Sequence, residues 1–305
     1  MMRSLYSGIS GLKNHQTRMD VIGNNIANVN TAAYKTSRVI FQDIFSQTVK
    51  GGMANNEISG GTNPMQIGLG IKLSTIDIMH NPAPFGRTDN PYDMMISGDG
   101  FFVIKAPNGG YYYTRAGNFK LDNEGYLVTS DGYYVMGYTA ELTYRPEVPA
   151  ATDDDEPIPA TVVLSGEIDI GPLQKIRLKV DGTGSADPIE LTGFSIADDG
   201  SVEVLIDNEK VTIAQLAVAL FSNYGGLEKA GNSMYRATSS SGSARVGRAQ
   251  ENGAGEIVGG GLEMSNVDLA TEFTDMIVTQ RGFQANSRII TVSDTLLEEL
   301  VNLKR

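Results

Sequence analysis

The chain has no cysteine, no tryptophan and only two histidines among its 305 residues. Without cysteine there are no disulfides, thiolate nucleophiles or cysteine zinc ligands. His15 and His80 lie far apart in the sequence, which leaves little for an imidazole metal site or a catalytic triad. No stretch approaches the roughly 18 apolar residues of a membrane span, so no membrane insertion is expected. Met1 to Gly8 lack the continuous apolar segment of a secretory signal, so the chain reads as cytoplasmic or exported without a cleaved leader. Positive charge is scarce as well: 24 Lys+Arg face 36 Asp+Glu, for a net charge of -12 and a pI near 4.7. A nucleic-acid partner is disfavoured, because phosphate binding needs a surplus of Lys and Arg on one face.

Apolar rhythm marks the two ends. Leu5, Ile9, Leu12, Met19, Ile22, Ile26 and Val29 follow a seven-residue rhythm that predicts an N-terminal helix, ended by Asn28, Asn30 and Thr31. Leu269, Phe273, Met276, Phe283, Ile290, Leu297 and Val301 lie on a 4-3 alternation, with Gln280, Ser287 and Asp294 at the remaining positions. Ser265-Asn266-Val267-Asp268 reads as its N-cap. This predicts a C-terminal helix of about 36 residues, roughly 54 Å long. Gly8, Gly11 and Gly23 weaken the first helix by roughly 1 kcal/mol each relative to Ala, so it needs neighbours to form.

Between the ends the pattern turns to period two. Phe101–Ile104 and Tyr111–Thr114 flank Pro107-Asn108-Gly109-Gly110, a hairpin signal. Leu121–Val128 and Ile196–Val204 each read as strand, Gly turn, strand, and Ile213–Phe221 as a further strand. The 35 glycines, about 11% against an average near 7%, fit many tight turns. The fold class is therefore mixed: terminal α-helices forming a coiled-coil-like stalk, with an intervening mainly-β domain. The expected domains are 1–30 with 266–305 (helical), 31–72 with 246–265 (extended connector), and 73–245 (β core). An unmatched insertion lies at about 142–194.

No chemistry-bearing constellation emerges. Asp153-Asp154-Asp155-Glu156 lack the alternate spacing of a calcium loop and sit among prolines, as a solvated loop does. Gly68-Leu69-Gly70 and Gly98-Asp99-Gly100 match no nucleotide-binding loop. The Tyr-rich strands suit a half-buried sheet as well as a carbohydrate platform. No catalytic residue, metal or cofactor is expected, and the chain does not read as an enzyme.

Asn24-Asn25-Ile26-Ala27-Asn28-Val29-Asn30-Thr31-Ala32-Ala33-Tyr34-Lys35 resembles the N-terminal signature of bacterial flagellar rod and hook axial proteins, with Ala33-Tyr34 in place of the usual Gly-Phe. Gly98–Phe102 and Tyr113–Phe119 are similar to that family's core-domain motifs. Ser265, Asn266, Gln280 and Arg281 fall in stretches similar to its C-terminal helix. Within the family, Glu272–Ile277 and Val301–Arg305 look more like the hook than the distal rod. The resemblance implies a flexible hollow homopolymer that transmits torque, with the terminal helices as its inner tube. Leu5, Ile9, Leu12, Met19, Ile26, Leu269, Phe273, Met276, Phe283, Ile290 and Leu297 would then be the self-assembly residues. The implied partners are further copies, the distal rod protein, the hook cap, the hook–filament junction protein and the flagellar type III export apparatus. The implied location is the extracellular flagellum. A stiff distal rod subunit is the alternative reading; a rod-associated hydrolase or a surface adhesin is more remote.

Overall fold

A computed structural model of the chain describes residues 2–54, 60–139, 142–145, 161–164, 171–178, 193–206 and 209–303. The acidic run Asp153–Glu156, most of the 142–194 insertion and the closing Lys304-Arg305 lie outside the described residues. Two units share the chain. One takes residues 1–30, 35–79 and 267–305; the other takes 31–34 and 80–266.

The first unit holds both long helices, α1 (Met2–Ala27) and α2 (Leu269–Asn302). α1 stops in the asparagine-rich signature, where the Asn28 side-chain amide donates to the Asn24 carbonyl oxygen at 2.9 Å. α2 begins three residues later than a Ser265 cap would place it. Its cap is Asp268, whose carboxylate accepts from the Ala270 N–H at 3.0 Å and from the Thr271 hydroxyl at 2.8 Å. Those bonds, the hydroxyl's first, hold the Asp268 carboxyl below its ordinary range. Ser265 is buried within the second unit, so it is not free to cap.

Residues 31–72 were expected as an extended connector; among the described residues, those from 37 on contribute two ribbons to the first unit. β1 (Ser37–Asp43) pairs antiparallel with β4 (Ile71–Ile78), with a register shift between Ile40 and Phe41. β2 (Ser46–Lys50) pairs antiparallel with β3 (Met65–Gly68). The polar, Gly-rich flanks concealed the alternation of β1 and β4.

The second unit is the mainly-β domain. After β5 (Phe85–Arg87) and β6 (Met94–Ser97), the hairpin of β7 (Phe101–Lys105) and β8 (Tyr111–Thr114) forms as the sequence predicts. The main sheet runs, among the described residues, Gly193–Ile196, Ser201–Ile206, Glu209–Leu216, Tyr134–Thr139, β7, β8, Met234–Arg236, Glu228–Gly231. The stretch read as one strand from the alternation of Leu216, Val218 and Leu220 is two, Glu209–Leu216 and Val218–Leu220, interrupted at Ala217, with 213–220 buried throughout as in a strand covered on both faces. The stretch 246–265, also expected as connector, instead closes this unit: Glu256–Gly259 pairs with β6 and Gly261–Glu263 with β5.

Its core is mainly aliphatic, with a pair of phenylalanines at its centre. Phe102, Ile104, Phe119, Val135, Val202 and Leu216 are buried, and the Phe102 and Phe119 rings meet edge to face at 5.2 Å. Gly100 shows why the Gly98–Phe102 motif needs glycine. Its φ is +133°, and a Cβ there would run into the Val218 side chain. Beside this core Arg115 and Glu263 form a buried ion pair at 3.3 Å, with both side chains almost wholly shielded. Arg115 also donates to the Ile96 and Gly98 carbonyl oxygens, and Glu263 accepts from the Ala83 N–H. The Ala33 N–H reaches the Glu263 carbonyl oxygen at 2.8 Å. One pair thus ties four passages of the chain.

Candidate functional site

The helix pair departs from ordinary amphipathic packing: polar and small residues share its seam with apolar ones, and large apolar side chains also face out. α1 and α2 run antiparallel, and α1 opposes small residues to α2. A Cβ on Gly11 would stand 2.5 Å from the Asn286 side-chain nitrogen, and one on Gly8 would stand 3.5 Å from Ile290. From the other side, a Cβ on Gly282 would meet the His15 ring at 2.8 Å. Glycine at 11 and 282 thus makes room for the Asn286 and His15 side chains of the facing helix.

Polar groups fill the seam. Arg18 pairs with Asp275 at 2.9 Å. The Asn25 side-chain amide donates to Glu272 at 3.0 Å and to the Ser37 carbonyl oxygen at 2.9 Å, while its oxygen accepts from the Ser37 N–H. The Asn14 amide donates to the Ile71 carbonyl oxygen at 2.8 Å, which holds the start of β4 on α1. Thr279 and Ser293 are buried on α2, each hydroxyl donating to the carbonyl oxygen four residues earlier. Burial pushes the Glu272 carboxyl up, partly opposed by the Asn25 hydrogen bond, and holds the His15 imidazole down.

The least exposed line on α2 is 272, 276, 279, 283, 286, 290 and 293: Glu, Met, Thr, Phe, Asn, Ile, Ser. It shares only Met276, Phe283 and Ile290 with the apolar rhythm of the sequence. Leu269, Phe273 and Leu297 are exposed, as is Ile9 on α1, whereas Leu5, Leu12, Met19 and Ile26 are half-buried and Ile22 is buried. Outward-facing Ile277, Ile289, Val292, Leu296, Leu300 and Leu303 extend an apolar face that the rhythm missed. The β2–β3 ribbon is a second such surface, with Phe45, Val49, Met53 and Met65 all more than half exposed.

Among the signature residues, Asn25 and Lys35 are buried, Asn28 and Asn266 half-buried, and Asn24, Ala27, Thr31, Gln280 and Arg281 exposed. Ala33, which replaces the usual glycine, keeps the turn by adopting φ +57°. The Tyr34 ring receives the Lys229 ammonium at 4.9 Å. Among the described residues no group of three His, Cys, Asp or Glu could hold a metal, and no helix is long and apolar enough to cross a membrane.

Long terminal helices with an exposed apolar face, beside a self-contained β unit, define a structural subunit. Three family models match the chain. "Flagellar hook protein FlgE/F/G D1 domain" covers residues 95–204, "Flagellar basal body rod FlgEFG protein C-terminal" 258–303, and "Flagella basal body rod protein" 5–35. The flagellar basal-body rod protein FlgG of Bacillus subtilis is 46% identical over 308 positions, covering the whole of both chains. In Borreliella burgdorferi the flagellar hook protein FlgE is 33% identical over 445 positions and FlgG is 32% identical over 308, again end to end. The chain belongs to the flagellar rod and hook axial protein family, whose members are structural components of the flagellum and not enzymes.

Proposed function

We propose that this chain is a subunit of the distal rod, the drive shaft of the flagellar basal body, and that it assembles with copies of itself through the exposed face of α2. Length carries this reading. The alignment to the Bacillus subtilis FlgG spans 308 positions, nearly this chain's own 305 residues. The alignment to the Borreliella burgdorferi FlgE spans 445, so that hook protein has long segments with no counterpart here. Identity alone does not discriminate, since the two Borreliella burgdorferi proteins score 33% and 32%.

The hook reading keeps one specific support, the hook-like Glu272–Ile277 and Val301–Arg305 stretches. On that reading the partners are the distal rod, hook cap and hook–filament junction proteins. On either reading we assign export to the flagellar type III apparatus. The α1–α2 pair serves as a coiled-coil-like stalk on the tube's inner side, and Leu269, Phe273 and Leu297 are the assembly residues that lie outside the intramolecular seam. Electron microscopy of the assembled protein tests the choice. Straight, stiff tubes are expected of a rod, and curved or polymorphic tubes would favour the hook.

A further inference from the structure

One tight contact between α1 and α2 includes an ionisable ring. A Cβ on Gly282 would stand 2.8 Å from both Cε1 and Nε2 of His15, so the imidazole lies directly against the α2 backbone. Its edge meets Phe41 of β1, with ring centroids 6.1 Å apart. Its Nδ1 is buried with no hydrogen-bond partner among the described residues. One turn along α1, Arg18 is already committed to Asp275 at 2.9 Å.

Neutral imidazole fits this environment. Imidazolium must satisfy two N–H donors, and the buried Nδ1–H would have no acceptor. Its charge would add to that of Arg18 while the neighbouring carboxylate is occupied. Charged groups elsewhere on the packed elements are paired, hydrogen-bonded or exposed. Glu272 accepts from Asn25, Arg38 lies 4.0 Å from Asp77, and Asp43, Lys72 and Arg281 are exposed.

We propose that His15 is an acid-sensitive wedge in the helix pair: neutral, it lets α1 and α2 close over Gly282; protonated, it loosens them. The sign follows from linkage. Burial first, then Arg18, holds the imidazole below its ordinary 6.5, so the opened chain binds a proton that the closed pair does not. Stability of the pair falls as pH drops through 6.5 toward the folded value, and the loss is complete below that. Glu272 acts oppositely. Its carboxyl is raised above an ordinary 4.5, so protonating it favours the closed pair, and a His15→Gln variant that keeps Glu272 separates the two effects.

Hydrogen exchange of the dilute full-length monomer at pH 7.5 and pH 5.5, corrected for intrinsic rates, tests the wedge. Wild type is expected to lose protection several-fold in α1 and α2 while the β unit is unchanged, and His15→Gln is expected to keep it. Equal protection of wild type at both pH values, or the same loss in His15→Gln, would overturn the proposal. Should His15→Gln fail to fold, NMR titration of the wild-type protein decides alone, since its two histidines give two signals. A His15 midpoint below 6.5 supports the wedge, and one at or above 6.5 overturns it.

Discussion

The β unit and the helix pair treat their apolar side chains differently. In the β unit Phe102, Phe119, Val135 and Leu216 are sealed inside, and its one described buried ion pair, Arg115–Glu263, is surrounded by hydrogen bonds. In the helix pair glycine, asparagine, threonine and serine share the interior with Ile22, Met276, Phe283 and Ile290, and Phe273, Ile277, Val292 and Leu300 face out. A domain that hides its apolar surface is complete as a monomer. One that exposes it is complete only with further surface, and each large apolar side chain so covered contributes roughly 1.5–3 kcal/mol.

The largest expected effect breaks the β unit and leaves the helices alone. Arg115→Met strands the Glu263 carboxylate in the interior and should cost about 3–5 kcal/mol. Chemical denaturation of the β unit measures it, and a loss below about 1 kcal/mol would mean water reaches the pair. The converse break is Gly11→Leu or Gly282→Leu, which overpacks the seam by typically 1–3 kcal/mol. Helical signal should melt earlier while the β unit's transition stays in place. A smaller effect lies at Ala33, where φ +57° is costly for any residue but glycine. Ala33→Gly should raise stability by up to about 1 kcal/mol, the relief of left-handed strain less the entropy of glycine. The smallest sharpens the contrast in dryness. Burial pushes the Tyr235 hydroxyl up to about 12. Its stabilising share is intact below pH 10 and lost as pH rises toward 12, so its tyrosinate absorbance should emerge only with alkaline unfolding.

What the sequence made legible followed from periodicity and local turn chemistry. The Phe101–Thr114 hairpin, the strand structure at 213–220 and both helices came from those signals. The inner face of α2 did not, because Thr279, Ser293 and Asn286 read as solvent-facing on any hydrophobicity count. Their placement depends on glycines of the partner helix, as at Gly11 against Asn286, and on hydroxyls that bond their own backbone; on α1 the buried Asn14 likewise depends on a carbonyl 57 residues away, that of Ile71. Lys35 illustrates the same limit. A lysine inside the polar signature has a wholly buried side chain, whereas Arg281 and Arg288 are exposed and trypsin should cut there first.

Sedimentation velocity of Phe273→Asp beside Phe283→Asp, at concentrations where wild type assembles, tests most directly whether α2's outward face joins copies of the chain. Phe273 is exposed and Phe283 half-buried in the seam. Phe273→Asp is expected to remain a monomer with wild-type helical melting, whereas Phe283→Asp should lose both assembly and helix stability. Assembly of Phe273→Asp at the wild-type concentration would contradict an outward apolar face built for a second copy.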